Sequence, residues 1–215
     1  MNSDKLKILV ATTNPGKMSE LAALLGELAD CVNWKTLADF SDLPIVVEDG
    51  ATFACNARKK ALGYAAATGL LTIADDSGLV IDALNGLPGV FSARFADPTG
   101  INTDRSQIDR QNNQKVLNLM ADVPDSRRTA RFVCYLCLSD EKEILVQAEG
   151  TLEGVITRRP IGDNGFGYDP IFEIPSLKKT VAQLDADQKN RISHRANAAE
   201  KFKILFHEFL QRTLF

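Results

Sequence analysis

Apolar and polar positions along this chain switch between a helical period and short continuous runs. Lys7 to Ala11 is an apolar run of strand length, and Thr12 to Gly16 follows it as a polar loop. Met18, Leu21, Ala22, Leu25 and Leu28 then recur at three- and four-residue steps, the spacing that lines one face of a helix. Residues 32–47 keep no sustained period and end in Ile45-Val46-Val47, which reads as a strand. Thr52 to Thr68 predicts a second helix. Phe53, Ala57, Ala61, Tyr64 and Ala65 share its inner face, Thr52 or Asp49 can cap its start, and Gly69 stands where a helix stops.

Leu71 to Ala74 predicts another buried strand, closed by Asp75-Asp76-Ser77-Gly78, and Leu79 to Ala83 a short one before the turn-rich Asn85 to Gly89. Residues 104–121 read as a moderately amphipathic helix. Arg128 to Leu138 is apolar on both faces, as a central strand covered on both sides should be. Glu143 to Thr157 gives further strand, interrupted at Gly150 and Gly154, and Pro160 to Pro170 is a glycine-rich loop. Ala196 to Leu210 closes the chain as a helix with Ala198, Phe202, Leu205, Phe206 and Phe209 on one side. Alternating elements early and clustered strands later predict an α/β fold with a mixed sheet. No repeat, low-complexity stretch or linker interrupts the pattern, so residues 1–215 read as a single domain.

Composition narrows the function classes. The chain has 215 residues, 45% of them hydrophobic, enough for one substantial core or two lobes. Lys and Arg number 25 against 28 Asp and Glu, a net charge of −3. That balance argues against nucleic-acid binding, which needs a basic footprint. A small polyanion such as a nucleotide stays open, since a local basic pocket plus a metal can hold it. No apolar run approaches the roughly 20 residues that span a bilayer, which argues against a membrane partner. Residues 1–7 are polar and charged, so no export signal is expected. Cys31, Cys55, Cys134 and Cys137 are then expected reduced, in a cytoplasmic protein. Cys134 and Cys137 form one CxxC inside a strand-like run, where a three-residue offset sends the side chains to opposite faces; core packing is the expectation.

Four segments carry candidate chemistry. Thr12-Thr13-Asn14-Pro15-Gly16-Lys17 leaves a strand and opens a helix, whose N–H groups and partial positive charge suit phosphate. The spacing is not that of a Walker loop, and an ordinary capped turn would read the same. Asp75-Asp76 at the end of an apolar strand is costly unless a cation or donors satisfy it, with Glu48 a further ligand; a polar turn is the alternative. Successive strand side chains diverge, so one of the pair should face a site directly. Gly162 to Pro170 is too rich in glycine for regular structure. It is either a base-stacking loop built on Phe166 or an Ω-loop with Phe166 and Tyr168 as its own core. Lys189 with Ser193-His194-Arg195 is a basic cluster at a helix start, or a capping serine with solvated neighbours.

Together these segments resemble the inosine triphosphate pyrophosphatase family, which acts on non-standard purine nucleotides. The matching stretches are ATTNPGK, ADDSGL, LPGVFSARFA, GFGYDPIF and ISHRANA, in the family's order, spanning Ile8 to about residue 210. The resemblance implies a long central mixed sheet flanked by helices, in two lobes with a cleft between them, and a homodimer. It implies hydrolysis of ITP, dITP and XTP to the monophosphate and pyrophosphate with Mg2+. It assigns substrate binding to Thr12, Thr13, Asn14, Pro15, Gly16, Lys17, Ser77, Phe166, Gly167, Tyr168, Asp169, Lys189, His194 and Arg195. Asp76 becomes proton acceptor and metal ligand, and Glu48 a second ligand. Two rivals remain: a Maf-like pyrophosphatase of modified or standard nucleotides, against which Ser193-His194-Arg195 and the GFGYD segment argue, and a nucleotide-sensing module without turnover, which has no use for a water-activating carboxylate. Residues 89–103 are a candidate dimer contact.

Overall fold

The computed structural model describes residues 5–97 and 104–214, so residues 98–103 of that candidate contact lie outside the described residues. Among the described residues the strands make a seven-stranded mixed sheet in the order β2-β1-β3-β4-β5-β6-β7. These are β1 Leu6–Ala11, β2 Val32–Thr36, β3 Leu71–Ile81, β4 Thr129–Ser139, β5 Ile144–Ile156, β6 Phe172–Ile174 and β7 Lys179–Thr180. The helices are α1 Pro15–Leu24, α2 Phe53–Thr68, α3 Arg105–Leu119, α4 Ala186–Ile192 and α5 His194–Leu214. The chain gathers into two compact units, one made of Met1–Asp76, Cys134–Gly150 and Arg195–Phe215, the other of Ser77–Val133 and Thr151–His194.

In the first unit β1 runs parallel to β2, with Ile8 opposite Trp34, and parallel to β3, with Val10 opposite Ile73. The two-residue strand period sends alternate β1 side chains to opposite faces. Ile8 and Val10 join a cluster with Leu21, Leu136, Phe202 and Phe206; Leu9 and Ala11 join one with Ala57, Ala61 and Ala74. Both faces are therefore covered, and each fully buried Leu, Ile or Phe contributes about 1.5–3 kcal/mol. Local chemistry sets the helix ends: Asn14 caps α1, Thr52 caps α2 through Cys55 N–H, and Gly69 takes the left-handed conformation after α2. Cys134 and Cys137 are buried and all four cysteines are free thiols.

The second unit packs Leu79, Ile81, Phe132, Ile156 and Phe172 into its own core. β5 pairs antiparallel with β6, and β6 with β7. Arg128 is buried, yet its guanidinium donates to the carbonyls of Met120, Val123, Ile156 and Thr157, so its charge is met by peptide dipoles.

Four sequence expectations need correction. Ile45-Val46-Val47 forms no strand. Ile45 is 90% and Val47 67% exposed, and Val46 alone is anchored, against Gly63. The strand in that region is β2, whose mixed composition hid its period. The acidic pair does not close a strand, because β3 continues through Asp75 to Gly78 in one piece. Gly78 lets Ser92 and the Gly89 carbonyl come close there, as no larger residue could. Gly150 and Gly154 do not interrupt β5; Gly154 is needed where the Phe172 ring lies against the strand. The first helix ends at Leu24, and Leu28 is buried from a 3-10 turn over Gly26–Asp30.

Candidate active site

The loop after β1 is held mainly by its own side chains. Asn14 Oδ1 accepts from Gly16 N–H at 2.9 Å and Lys17 N–H at 3.2 Å, and Thr12 Oγ1 accepts from Asn14 N–H. Pro15 occupies the first helical turn, where its missing N–H costs nothing. Two amides that the helix start would offer an anion are thus taken, and Lys17 gives the loop its positive charge. Lys17 Nζ lies 2.8 Å from Asp75 Oδ2.

Asp75 and Asp76, adjacent on β3, meet different surroundings. Asp75 is fully buried. Burial alone would raise its pKa, but Lys17, Lys60 and Arg195 outweigh that and hold the carboxyl well below the usual carboxylate range. Asp76 is 8% exposed and is pushed up to about 6, chiefly by burial and further by the charge of Glu48, against Lys17, the Asn56 hydrogen bond and Lys60. Asn56 Nδ2 donates to Asp76 Oδ2 at 3.0 Å, while Asn56 Oδ1 accepts from Gly50 N–H at 2.7 Å. The second bond fixes which end of the amide faces the carboxylate. Lys60 Nζ lies 3.1 Å from Glu48 Oε2. Burial lowers the Lys60 pKa, but the charges of Asp75, Glu48 and Asp76 outweigh it and keep the ammonium charged.

The apolar period of α2 does not mark Asn56 and Lys60. The signal was there: four residues apart, they interrupt the face carrying Ala57 and Ala61 and are themselves buried. Glu20 also lies outside the sequence motifs. It accepts from Arg195 Nη1, and Arg195 Nε lies 3.9 Å from Asp75 Oδ2. Arg195 is 2% exposed, so it is not the solvated neighbour of a capping serine. Burial lowers its pKa, and Glu20 and Asp75 more than offset it.

The second unit carries the glycine-rich loop. Phe166 N–H donates to Asp169 Oδ2 at 2.9 Å, and Lys189 Nζ reaches the same oxygen at 2.5 Å. Lys189 Nζ also lies 4.4 Å from the Phe166 ring centroid. Gly165 has φ 76°, and any Cβ on it would collide with the Asp169 carboxylate. Tyr168 belongs to the core of this unit, its hydroxyl donating to the Ser92 carbonyl and its pKa raised by burial. His194 stacks on Phe132 with centroids 4.9 Å apart, and Ser193 ends α4 through its N–H to the Lys189 carbonyl. Ser77 is half-buried on β3.

Chemically, the first unit offers a buried base of raised pKa, two ammonium groups and hard carboxylate oxygens. The second offers an aromatic face beside an ion pair. Among the described residues no group of three or more His, Cys, Asp or Glu gathers as a preformed metal centre, and no helix is long and apolar enough to cross a membrane.

The model of the Ham1 family matches residues 8–205. The chain is 47% identical over 196 residues to a dITP/XTP pyrophosphatase of Desulforamulus reducens, covering 91% of this chain and 93% of that one. It is 46% identical over 197 residues to a dITP/XTP pyrophosphatase of Shouchella clausii, covering 92% and 94%. Its fold is similar to that of a HAM1 protein from Coxiella burnetii, with TM-score 0.82, 41% identity, and 94% and 99% of the two chains covered.

Proposed function

The chain belongs to the Ham1 family, and from that premise we propose that it hydrolyses dITP, XTP and ITP to the nucleoside monophosphate and pyrophosphate, removing deaminated purines from the nucleotide pool. Asp76 carries the reading: a buried carboxyl raised to about 6 and oriented by Asn56. A general base works best with its pKa near the working pH. At neutral pH Asp76 is ionised, yet basic enough to take a proton from an attacking water.

Lys17 and Lys60 supply the positive charge that a triphosphate and a departing pyrophosphate require. Mg2+ is the cofactor of this reading, and Glu48 and Asp76 would hold it. Their hard oxygens suit the ion, and the rise in the Asp76 pKa caused by Glu48 is the like-charge strain a cation relieves. A set of only two carboxylates also fits, since Mg2+ takes one or two from protein and the rest from phosphates and water. When bound, the ion neutralises and orients phosphate oxygens.

Phe166 offers its ring face to the purine. A donor facing the 6-oxo group selects it, and Arg195, Ser77, Lys189 and His194 are the further substrate contacts of this reading. Adenine presents an amino donor in place of that acceptor, and a buried mismatch of this kind costs on the order of a few kcal/mol. The homodimer implied by the resemblance and a cytoplasmic location belong to the same reading.

The test is incubation with Mg2+ and, separately, ITP, dITP, XTP, GTP, ATP and modified pyrimidine triphosphates, measuring pyrophosphate against orthophosphate. Pyrophosphate from the first three is expected. Orthophosphate alone, or preference for modified pyrimidines, would overturn the assignment.

A further inference from the structure

The glycine-rich loop of the second unit is pinned from outside itself. Gly162, Gly165 and Gly167 all take left-handed conformations, with φ of 85°, 76° and 64°. Glycine makes these conformations accessible and loses more backbone freedom than other residues when ordered, so such a loop needs external holds. At Gly167 one helix holds both polar groups of the residue. Asp109 Oδ2 accepts from Gly167 N–H at 2.8 Å, and Asn113 Nδ2 donates to the Gly167 carbonyl at 3.0 Å. Asp109 and Asn113 are four residues apart on α3 and so share a face. The Asp109 side chain is 14% exposed, and its other oxygen lies 3.5 Å from Nε of Arg105, one turn earlier. A hydrogen bond from an N–H to a carboxylate is stronger than one between neutral groups, which makes Asp109 the firmer of the two grips.

Gly167 occupies a sensitive position. A Cβ there would meet open space, so crowding does not fix its place; the hydrogen bonds do. On one side stands Phe166, whose N–H is bound to Asp169, the carboxylate that pairs with Lys189. On the other stands Tyr168, anchored to Ser92. Releasing Gly167 loosens the stretch beside the Phe166 ring, leaving it to the Asp169 contacts, while the Tyr168 end stays tied.

We infer that Asp109 is a positioning residue for purine recognition, acting through Gly167 with Asn113 as a second grip. The inference rests on the reading that the Phe166 to Asp169 loop takes the base. The proton acceptor and the phosphate-facing lysines lie elsewhere, so loss of Asp109 acts on substrate capture rather than on the chemical step.

The experiment compares Asp109→Ala, Asp109→Asn and Asn113→Ala in the full chain. It measures steady-state kinetics with ITP and Mg2+, thermal melting, and hydrogen–deuterium exchange of peptides covering residues 165–168. Asp109→Ala should raise KM for ITP about ten-fold, the scale of one hydrogen bond to a charged group, with kcat within about two-fold. It should also speed exchange at the Gly167 amide. Asp109→Asn keeps a side-chain oxygen in place and should recover most of the KM; Asn113→Ala should act in the same direction as Asp109→Ala but less. Unchanged exchange at Gly167, or unchanged KM, overturns the inference. So does an Asp109→Asn variant as impaired as Asp109→Ala, with kcat and melting temperature falling together, which would mark a general role in α3. If the unsubstituted protein fails to hydrolyse ITP, the functional reading falls, while the exchange rate at Gly167 still decides whether Asp109 holds the loop.

Discussion

Lys17 Nζ sits 2.8 Å from Oδ2 of Asp75, a carboxylate with no solvent exposure. The neighbouring Asp76 instead takes its hydrogen bond from Asn56. Two identical side chains in adjacent positions are therefore driven in opposite directions. Cations outweigh burial at Asp75, and burial outweighs cations at Asp76. Asp75 is the fixed counter-charge of the basic groups, and Asp76 is the carboxyl whose proton affinity is raised.

Replacing Asp76 with asparagine keeps the shape and an oxygen for Asn56 to bind. Turnover of ITP should fall at least about 100-fold, the scale of a lost general base. The folded state disfavours the Asp76 charge, so the same variant should melt at a higher temperature at pH 7 in the absence of metal. Near-normal kcat would remove Asp76 from the base role.

The pH dependence follows from the direction of the Asp76 shift, from 3.8 up to about 6. Protonated Asp76 cannot accept a proton, so kcat/KM should fall on the acid side, and with Mg2+ bound the fall should come at a lower pH than the metal-free value of about 6. In metal-free protein the raised pKa stabilises the fold below 3.8, and that contribution is lost as pH rises to about 6. The melting temperature of wild type relative to Asp76→Asn should accordingly decline across that window. A flat difference between pH 4 and 7 would contradict the shift.

Asp75→Asn should behave differently. Removing one partner of a buried ion pair leaves its cations uncompensated, a loss of about 3–5 kcal/mol. Urea melts at pH 7 would measure it. Adding Lys17→Met should restore part of the loss, because the two residues share one interaction. Full additivity of the two substitutions would show that the pair is not coupled.

Gly154→Ala tests the packing of the second unit. Its Cβ would collide with the Phe172 ring and the Glu173 carbonyl, the residues that β6 places beside β5. Overpacking of this sort costs about 1–3 kcal/mol, so melting temperature should fall. A neutral substitution would mean the strands separate more easily than their register implies.

Helices with a clear face were legible in the sequence: α2, α3 and α5 lie where the 3.6-residue period places them. β2, α4 and the two short strands β6 and β7 were not, since each is short and takes its stability from neighbours rather than from a repeating pattern. The unbroken β3 escaped for a related reason. Asp-Asp-Ser-Gly has turn composition, and only the cations around Asp75 and the donor at Asp76 make it tolerable inside a sheet. The motifs of the candidate site were legible, but the side chains that hold the motif residues were not. Asn56, Lys60, Glu20, Asp109 and Asn113 sit on helices whose local sequence looks ordinary.

Periodicity and motif spacing are local properties of the chain, so the α/β class, the positions of the main helices and the segments of candidate chemistry are legible in the residues alone. Which carboxylate is neutralised and which is left basic, the burial of Arg195 against Glu20 and the grip of α3 on Gly167 arise only on folding. The physical reason is that pKa values and hydrogen-bond partners depend on which groups, far apart along the chain, come to share the same poorly solvated volume.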